Sequence, residues 1–213
     1  MVDSRSKFSS MVHIGRRSDE RKGETMTDDS LTKVDWDMLP RPEDDGAGKR
    51  VEGFAVPSMP LPATDDTNID LSAPGRTVVF VYPMTGTPGA ALPEGWDGIP
   101  GARGCTPQVC AIRDLHDDMA KAGIGRVFGL STQTIEDQKD AVERLHLPYP
   151  LLSDHGLMFA DAVGLPRFTI GDATYLKRMT MVIEDSFVKK VFYPVFPPDR
   201  AARDVLDWLS TGA

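Results

Sequence analysis

The chain has 213 residues, 40% of them hydrophobic and 26% charged, with a net charge of −8. That length holds one well-packed domain plus extra segments, and the acidic balance excludes the basic face that a nucleic-acid binder needs. No apolar run approaches the roughly 20 residues that span a bilayer, so no membrane partner is expected.

The first 53 residues are polar, with charge clusters at Asp19-Glu20-Arg21, Asp28-Asp29 and Glu43-Asp44-Asp45. No hydrophobic period survives there, so residues 1–53 are expected to form a largely disordered tail and linker. Trp36 and Leu39 are suited to dock against a domain, because a buried Trp removes much apolar surface from water. The extreme N-terminus lacks the apolar core of a secretory signal, and Met26 offers a second possible start.

A domain is expected over 54–213. Short apolar stretches around the turn cluster Asp65-Asp66-Thr67-Asn68 predict an N-terminal β-hairpin within 54–71. The run RTVVFVY, Arg76 to Tyr82, predicts a strand buried on both faces. Residues 83–104 are rich in Gly and Pro and read as a long loop, which in a compact domain is functional or disordered. Ile112, Leu115 and Met119 then form one apolar stripe, predicting a helix that ends at Gly123 and Gly125. A strand at 126–130, a helix at 134–146, a strand at 149–152 and a helix at 157–163 follow. Gly171-Asp172 marks a hairpin within 167–177. Strands at 179–183 and 187–193 come next, then a helix carrying Ala202, Val205, Leu206 and Leu209. Strands alternating with helices predict an α/β fold, a central mixed sheet covered on both faces.

The chain has two cysteines, Cys105 and Cys110, in GARGCTPQVCAIRD. Without a secretory signal they point to a reducing cytoplasm, where a close pair is redox-active, metal-binding or inert. The spacing leaves all three open. Location adds to it: Cys105 follows a strand and loop at the start of a helix, where unpaired N–H groups and partial positive charge stabilise a thiolate. Arg103 is near enough to contribute.

Gly104-Cys105-Thr106, a second cysteine at 110 and Arg113-Asp114, preceded by a strand ending in Tyr-Pro, resemble the Q-type (bacterioferritin-comigratory-protein-like) peroxiredoxins. YPLLSD, Tyr149 to Asp154, and RMTMVIED, Arg178 to Asp185, extend the resemblance over about residues 54–211. It implies a thioredoxin-like fold and a thiol peroxidase without cofactor or metal, acting on hydrogen peroxide or alkyl hydroperoxides. Cys105 would attack the peroxide and become a sulfenic acid, and Cys110 would resolve it to a disulfide. A thioredoxin-type donor would restore the thiols. Arg178 would hold thiolate and peroxide, since a fixed cation favours the charge that develops on the leaving oxygen. A monomer or weak homodimer is expected.

The family pattern places a proline seven residues and a threonine three residues before the reactive cysteine. Here those positions hold Gly98 and Ala102, whereas Pro83 and Thr87 carry the same pattern upstream of Ala90. About fifteen residues look inserted between the halves, a closed loop of tolerable size. The expectation is that this loop closes on itself, so that Pro83 and Thr87 reach the pocket and Thr87 gives its hydroxyl to the peroxide. Thr106 or Thr85 is the alternative donor. His116 and His155 read as solvated or core histidines, because a preformed thiolate needs no base. Trp96 suits a loop anchor or a shaper of substrate access. FYPVFPPDR, Phe192 to Arg200, suits cover for a sheet edge.

Proline at 107 belongs in a first helical turn and disfavours a helical residue before it. The expected N-cap is therefore Thr106, with Cys105 just outside the helix. Cα atoms five apart in a helix lie about 8.7 Å apart, whereas a disulfide needs about 4.4–6.8 Å. A Cys105–Cys110 bond would thus require the turn holding Cys110 to melt. Three rival readings use the same pair: a copper-binding thioredoxin-fold protein with His155 as third ligand, a disulfide oxidoreductase, and a redox sensor. Copper proteins of that kind usually have three residues between the cysteines, and the oxidoreductases use Cys-x-x-Cys.

Overall fold

The computed structural model describes residues 28–212; the expectations for the extreme N-terminus lie outside them. Two short helices, α1 (Asp28–Thr32) and α2 (Ala47–Val51), precede a hairpin of β1 (Pro60–Pro62) and β2 (Asn68–Asp70). Then follow β3 (Arg76–Val81), α3 (Cys105–Asp114), α4 (His116–Lys121), β4 (Arg126–Ser131), α5 (Ile135–Leu145), β5 (Leu151–Ser153) and α6 (Met158–Val163). The chain ends with the hairpin β6 (Arg167–Ile170) and β7 (Ala173–Leu176), then β8 (Met179–Glu184), β9 (Phe187–Phe192) and α7 (Ala201–Ser210).

Five strands form the central sheet in the order β5-β4-β3-β8-β9. β3 pairs in parallel with β4 and antiparallel with β8, so the sheet is mixed as expected. Residues of β3 alternate between two cores. Val79 and Val81 join Phe128, Leu130, Phe159 and Met181 on one face, while Val78 and Phe80 join Val109, Ile112, Met119 and Val205 on the other. Helices α3, α4, α5 and α7 cover the second face, which explains why Val78 to Val81 are apolar without alternation.

Two expectations are corrected. The single helix after Cys105 is two, broken at Leu115, whose φ of −107° and ψ of 7° leave the helical region. Ile112 and Met119 nonetheless remain fully buried on one side. Residues 28–53 are also not featureless. Ala47 and Val51 have no exposed surface, Glu52 accepts the Val191 N–H at 3.0 Å, and Ala55 bridges Phe187. The segment is too short to show a hydrophobic period, yet it covers the free edge of β9 and satisfies backbone groups there. At the other edge, the Thr64 N–H donates to the Leu151 carbonyl at 3.0 Å and the β1–β2 hairpin covers β5.

Candidate active site

The register of the sheet builds the site. Val81, the last residue of β3, lies opposite Met179, the first of β8. Arg178 therefore arrives beside Tyr82-Pro83-Met84, at the carboxyl ends of the parallel strands where α/β sheets place their ligands. Helix α3 starts at the same level. Its N-cap is Gly104, at φ 93°, and Cys105 is the first helical residue. The expected N-cap at Thr106 is thus corrected. Pro107 falls at the third helical position, where the missing N–H is one the first turn leaves without an intrahelical acceptor. A side chain at 104 would be strained by the positive φ and would meet Trp36 at 2.7 Å and Pro198 at 2.8 Å.

Cys105 is buried, with 3% of its surface exposed. Arg178 Nη2 donates to its Sγ at 3.2 Å and the Met84 N–H donates at 3.5 Å. The thiol itself donates to the Ala102 carbonyl at 3.5 Å. Arg178 is equally buried. Its Nη1 donates to Gln108 Oε1 in a short hydrogen bond, and its Nη2 faces the carbonyls of Gly101 at 3.3 Å and Arg103 at 3.0 Å. A cation wrapped in neutral oxygens keeps its full charge directed at the sulfur. Gln108 escaped the sequence reading. Its signal was its position three residues after Cys105, which puts both on one helical face. The donor N–H of Met84 could not be read, because backbone geometry leaves no mark on residue type.

Beside Cys105 lies a cavity of about 20 Å³, lined by Leu31, Met84, Trp96, Arg103 and Thr106 among others. Pro83 is buried and its neighbour Met84 touches the sulfur. Thr87 is not brought to Cys105. It is exposed and lines an adjoining cavity of about 310 Å³ with Gln133 and Asp137. Thr85 is buried, but its hydroxyl donates to Gln133 Oε1 at 3.0 Å. Thr106 is 2% exposed, and its hydroxyl has no hydrogen-bond partner among the described residues.

The remaining candidates sit elsewhere. Arg103 turns its side chain to Asp97 at 3.3 Å and to the Ser30 carbonyl at 3.3 Å. His116 stacks on Tyr149, and His155 Nδ1 lies 3.0 Å from the Thr132 carbonyl. Among the described residues no three His, Cys, Asp or Glu side chains gather into a metal-sized group, and no helix is long and apolar enough to cross a membrane. Val195 and Pro198 of the Pro-rich stretch are buried, and Phe196 packs edge-on against Trp36.

Cys110 lies on α3, half-buried and not bonded to Cys105. Burial pushes its thiol above the ordinary thiol range, against the opposing charge of Arg113. The turn around it is pinned from both sides. The Tyr149 hydroxyl donates to the Val109 carbonyl at 2.8 Å, and Arg113 Nη1 donates to the Leu145 carbonyl at the end of α5, also at 2.8 Å.

Residues 47–207 match the redoxin family model. A peroxiredoxin of Mycobacterium tuberculosis (strain CDC 1551 / Oshkosh) is 32% identical over 158 residues, 72% of this chain and 92% of the relative. The chloroplastic peroxiredoxin Q of Oryza sativa subsp. japonica is 30% identical over 167 residues, 77% of this chain and 69% of the relative. Among solved structures, peroxidoxin BcpB from Mycobacterium tuberculosis superposes with a TM-score of 0.61 at 30% identity, covering 75% of this chain and 96% of that one. Peroxiredoxin Q of Xanthomonas campestris, at 20% identity and a TM-score of 0.57, shares the fold. Family match, relatives and thioredoxin-like architecture agree: the chain belongs to the redoxin family and, within it, to the Q-type peroxiredoxins, which are thiol peroxidases.

Proposed function

We propose that Cys105 is the peroxidatic cysteine, that Arg178 and Thr106 stabilise its reaction with peroxide, and that Cys110 resolves the product. The observation that carries this is the 3.2 Å contact between the buried Cys105 Sγ and the buried Arg178 guanidinium. The Cys105 thiolate attacks the terminal peroxide oxygen and the O–O bond breaks. The leaving oxygen takes a proton and departs as water or an alcohol, and Cys105 is left as a sulfenic acid. Arg178 faces the oxygen on which negative charge develops, where a fixed cation in a dry site is worth most. Thr106, with a free buried hydroxyl on the cavity wall, takes the place that the family pattern gives to a threonine three residues before the cysteine. Thr87 is exposed and lines the adjoining cavity, so Thr106 is the donor preferred here.

The Cys110 thiolate then attacks Cys105 Sγ. An S–S bond forms, the S–O bond breaks, and the hydroxide that leaves takes a proton from solvent to become water. A dithiol donor of the thioredoxin type returns both cysteines to thiols by exchange, which suits a reducing compartment such as the cytoplasm.

The test mixes reduced protein with one equivalent of hydrogen peroxide and follows free thiols. Wild type loses both rapidly, Cys105→Ser loses none, and Cys110→Ser loses one and accumulates the sulfenic acid. Thr106→Val slows the first step on the order of a hundredfold, the scale of a lost transition-state donor, while Thr87→Val stays within about twofold. If Cys105→Ser still consumes peroxide and Cys110→Ser does not, the two roles are reversed.

A further inference from the structure

We infer that Leu31, from the segment before the family core, and Trp96, from the long loop before α3, roof the Cys105 pocket and restrict the enzyme to hydrogen peroxide over bulky organic hydroperoxides. This rests on the peroxidase reading above and specifies its substrate.

The space beside the sulfur is about 20 Å³. A single water needs roughly 10–15 Å³ of such space, so the space against the sulfur fits a molecule the size of hydrogen peroxide, whereas an aryl or branched alkyl group has to find its room past Leu31, Leu92 and Trp96. Its walls are mixed, with Arg103 and Thr106 on the polar side and Leu31, Met84, Leu92 and Trp96 on the apolar side. Leu31 comes from α1, outside the residues that match the family model, and Leu92 and Trp96 come from the long loop before α3.

The roof is anchored at several points. Trp96 is 3% exposed and packs edge-on against Tyr175 at 4.9 Å, with Phe168 at 5.9 Å, so the β6–β7 hairpin grips it from outside. Leu31 is 6% exposed and lies so close to Gly86 that a Cβ there would sit 2.2 Å from its Cδ2. Arg103 joins the two halves, pairing with Asp97 next to Trp96 and donating to the Ser30 carbonyl next to Leu31. A bulky substrate must displace buried apolar groups that these contacts hold together. Hydrogen peroxide need displace nothing.

Reduced wild type, Leu31→Ala and Trp96→Ala are each mixed with hydrogen peroxide and, separately, with cumene hydroperoxide, and the second-order rate of Cys105 oxidation is measured. Wild type is expected to favour hydrogen peroxide by on the order of a hundredfold, and each truncation to narrow that ratio by about tenfold, chiefly by raising the cumene hydroperoxide rate. The hydrogen peroxide rate of each variant reports whether its pocket is still formed. Leu31 lies on α1, outside the residues that match the family model, so its truncation leaves that core intact. If wild type oxidises with both peroxides at similar rates, the roof inference is overturned and the peroxidase reading stands. The roof inference also fails if wild type discriminates but neither variant narrows the ratio. A wild type inert to both peroxides sinks the peroxidase reading itself.

Discussion

If Cys110 resolves the sulfenic acid as proposed, its thiol gives that step a pH dependence. Burial holds it protonated beyond the ordinary thiol range, more strongly than the Arg113 charge pulls the other way. Its value in an opened turn returns toward about 8.5. A group whose folded value lies above its unfolded value supports the folded state below the unfolded value and loses that support as pH rises through the folded one. Raising the pH above about 8.5 therefore favours both the opened turn and the Cys110 thiolate. Disulfide formation, followed by quenched alkylation after one equivalent of hydrogen peroxide, should keep accelerating through that value. A rate that levels off well below it contradicts the assignment. At this scale the sequence was informative wherever chemistry follows residue type. Cys105 and Cys110 could be picked out, because thiols are conspicuous, whereas Arg178 came only with the family resemblance. Thr87 could not be placed, because its position depends on how the loop after Pro83 folds. Gln108 and the Met84 N–H were missed for the same reason: their roles come from where the backbone puts them.

Helix α3 must change shape for the two sulfurs to meet, since residues five apart on a helix stand too far apart to bond. Cys105 is the first helical residue and leaves the helix at little cost, but the turn around Cys110 is tied down by Tyr149 and Arg113. Amide hydrogen exchange at residues 108–112 should rise when the disulfide forms. Tyr149→Phe deletes one anchor worth about 1 kcal/mol, so disulfide formation should speed up roughly fivefold. Unchanged protection on oxidation would show that the turn stays closed and that the disulfide forms by another movement. Most elements of this fold could be read from periodicity and turn residues. β3, α5 and the β6–β7 hairpin fall within a residue or two of their expected bounds. The break at Leu115 could not be read, because Ile112, Leu115 and Met119 keep a helical stripe across it. Helix α2 was hidden because five residues are too few to show a period.

The whole molecule stands on β3, the centre of the sheet, whose alternate residues feed both cores. Phe80 is fully buried on the face that supports α3. Phe80→Ala should cost roughly 3–5 kcal/mol, seen as a lower denaturant midpoint, and should slow Cys105 oxidation because the helix start loses its footing. An unchanged midpoint would mean that α3 is held chiefly from elsewhere. The path of the chain through this sheet also sets when the enzyme becomes reactive. Arg178 follows Cys105 by 73 residues, just before β8, a strand that pairs back against β3 and is made after the parallel strands. At synthesis rates of about 5–20 residues per second, Cys105 is added to the chain roughly 4–15 seconds before Arg178. A nascent or truncated chain that stops short of residue 178 carries the thiol without the guanidinium. On the proposed roles, reactivity toward peroxide waits until residue 178 has been made, and the Cys105 sulfur passes through the earlier part of synthesis without its cation.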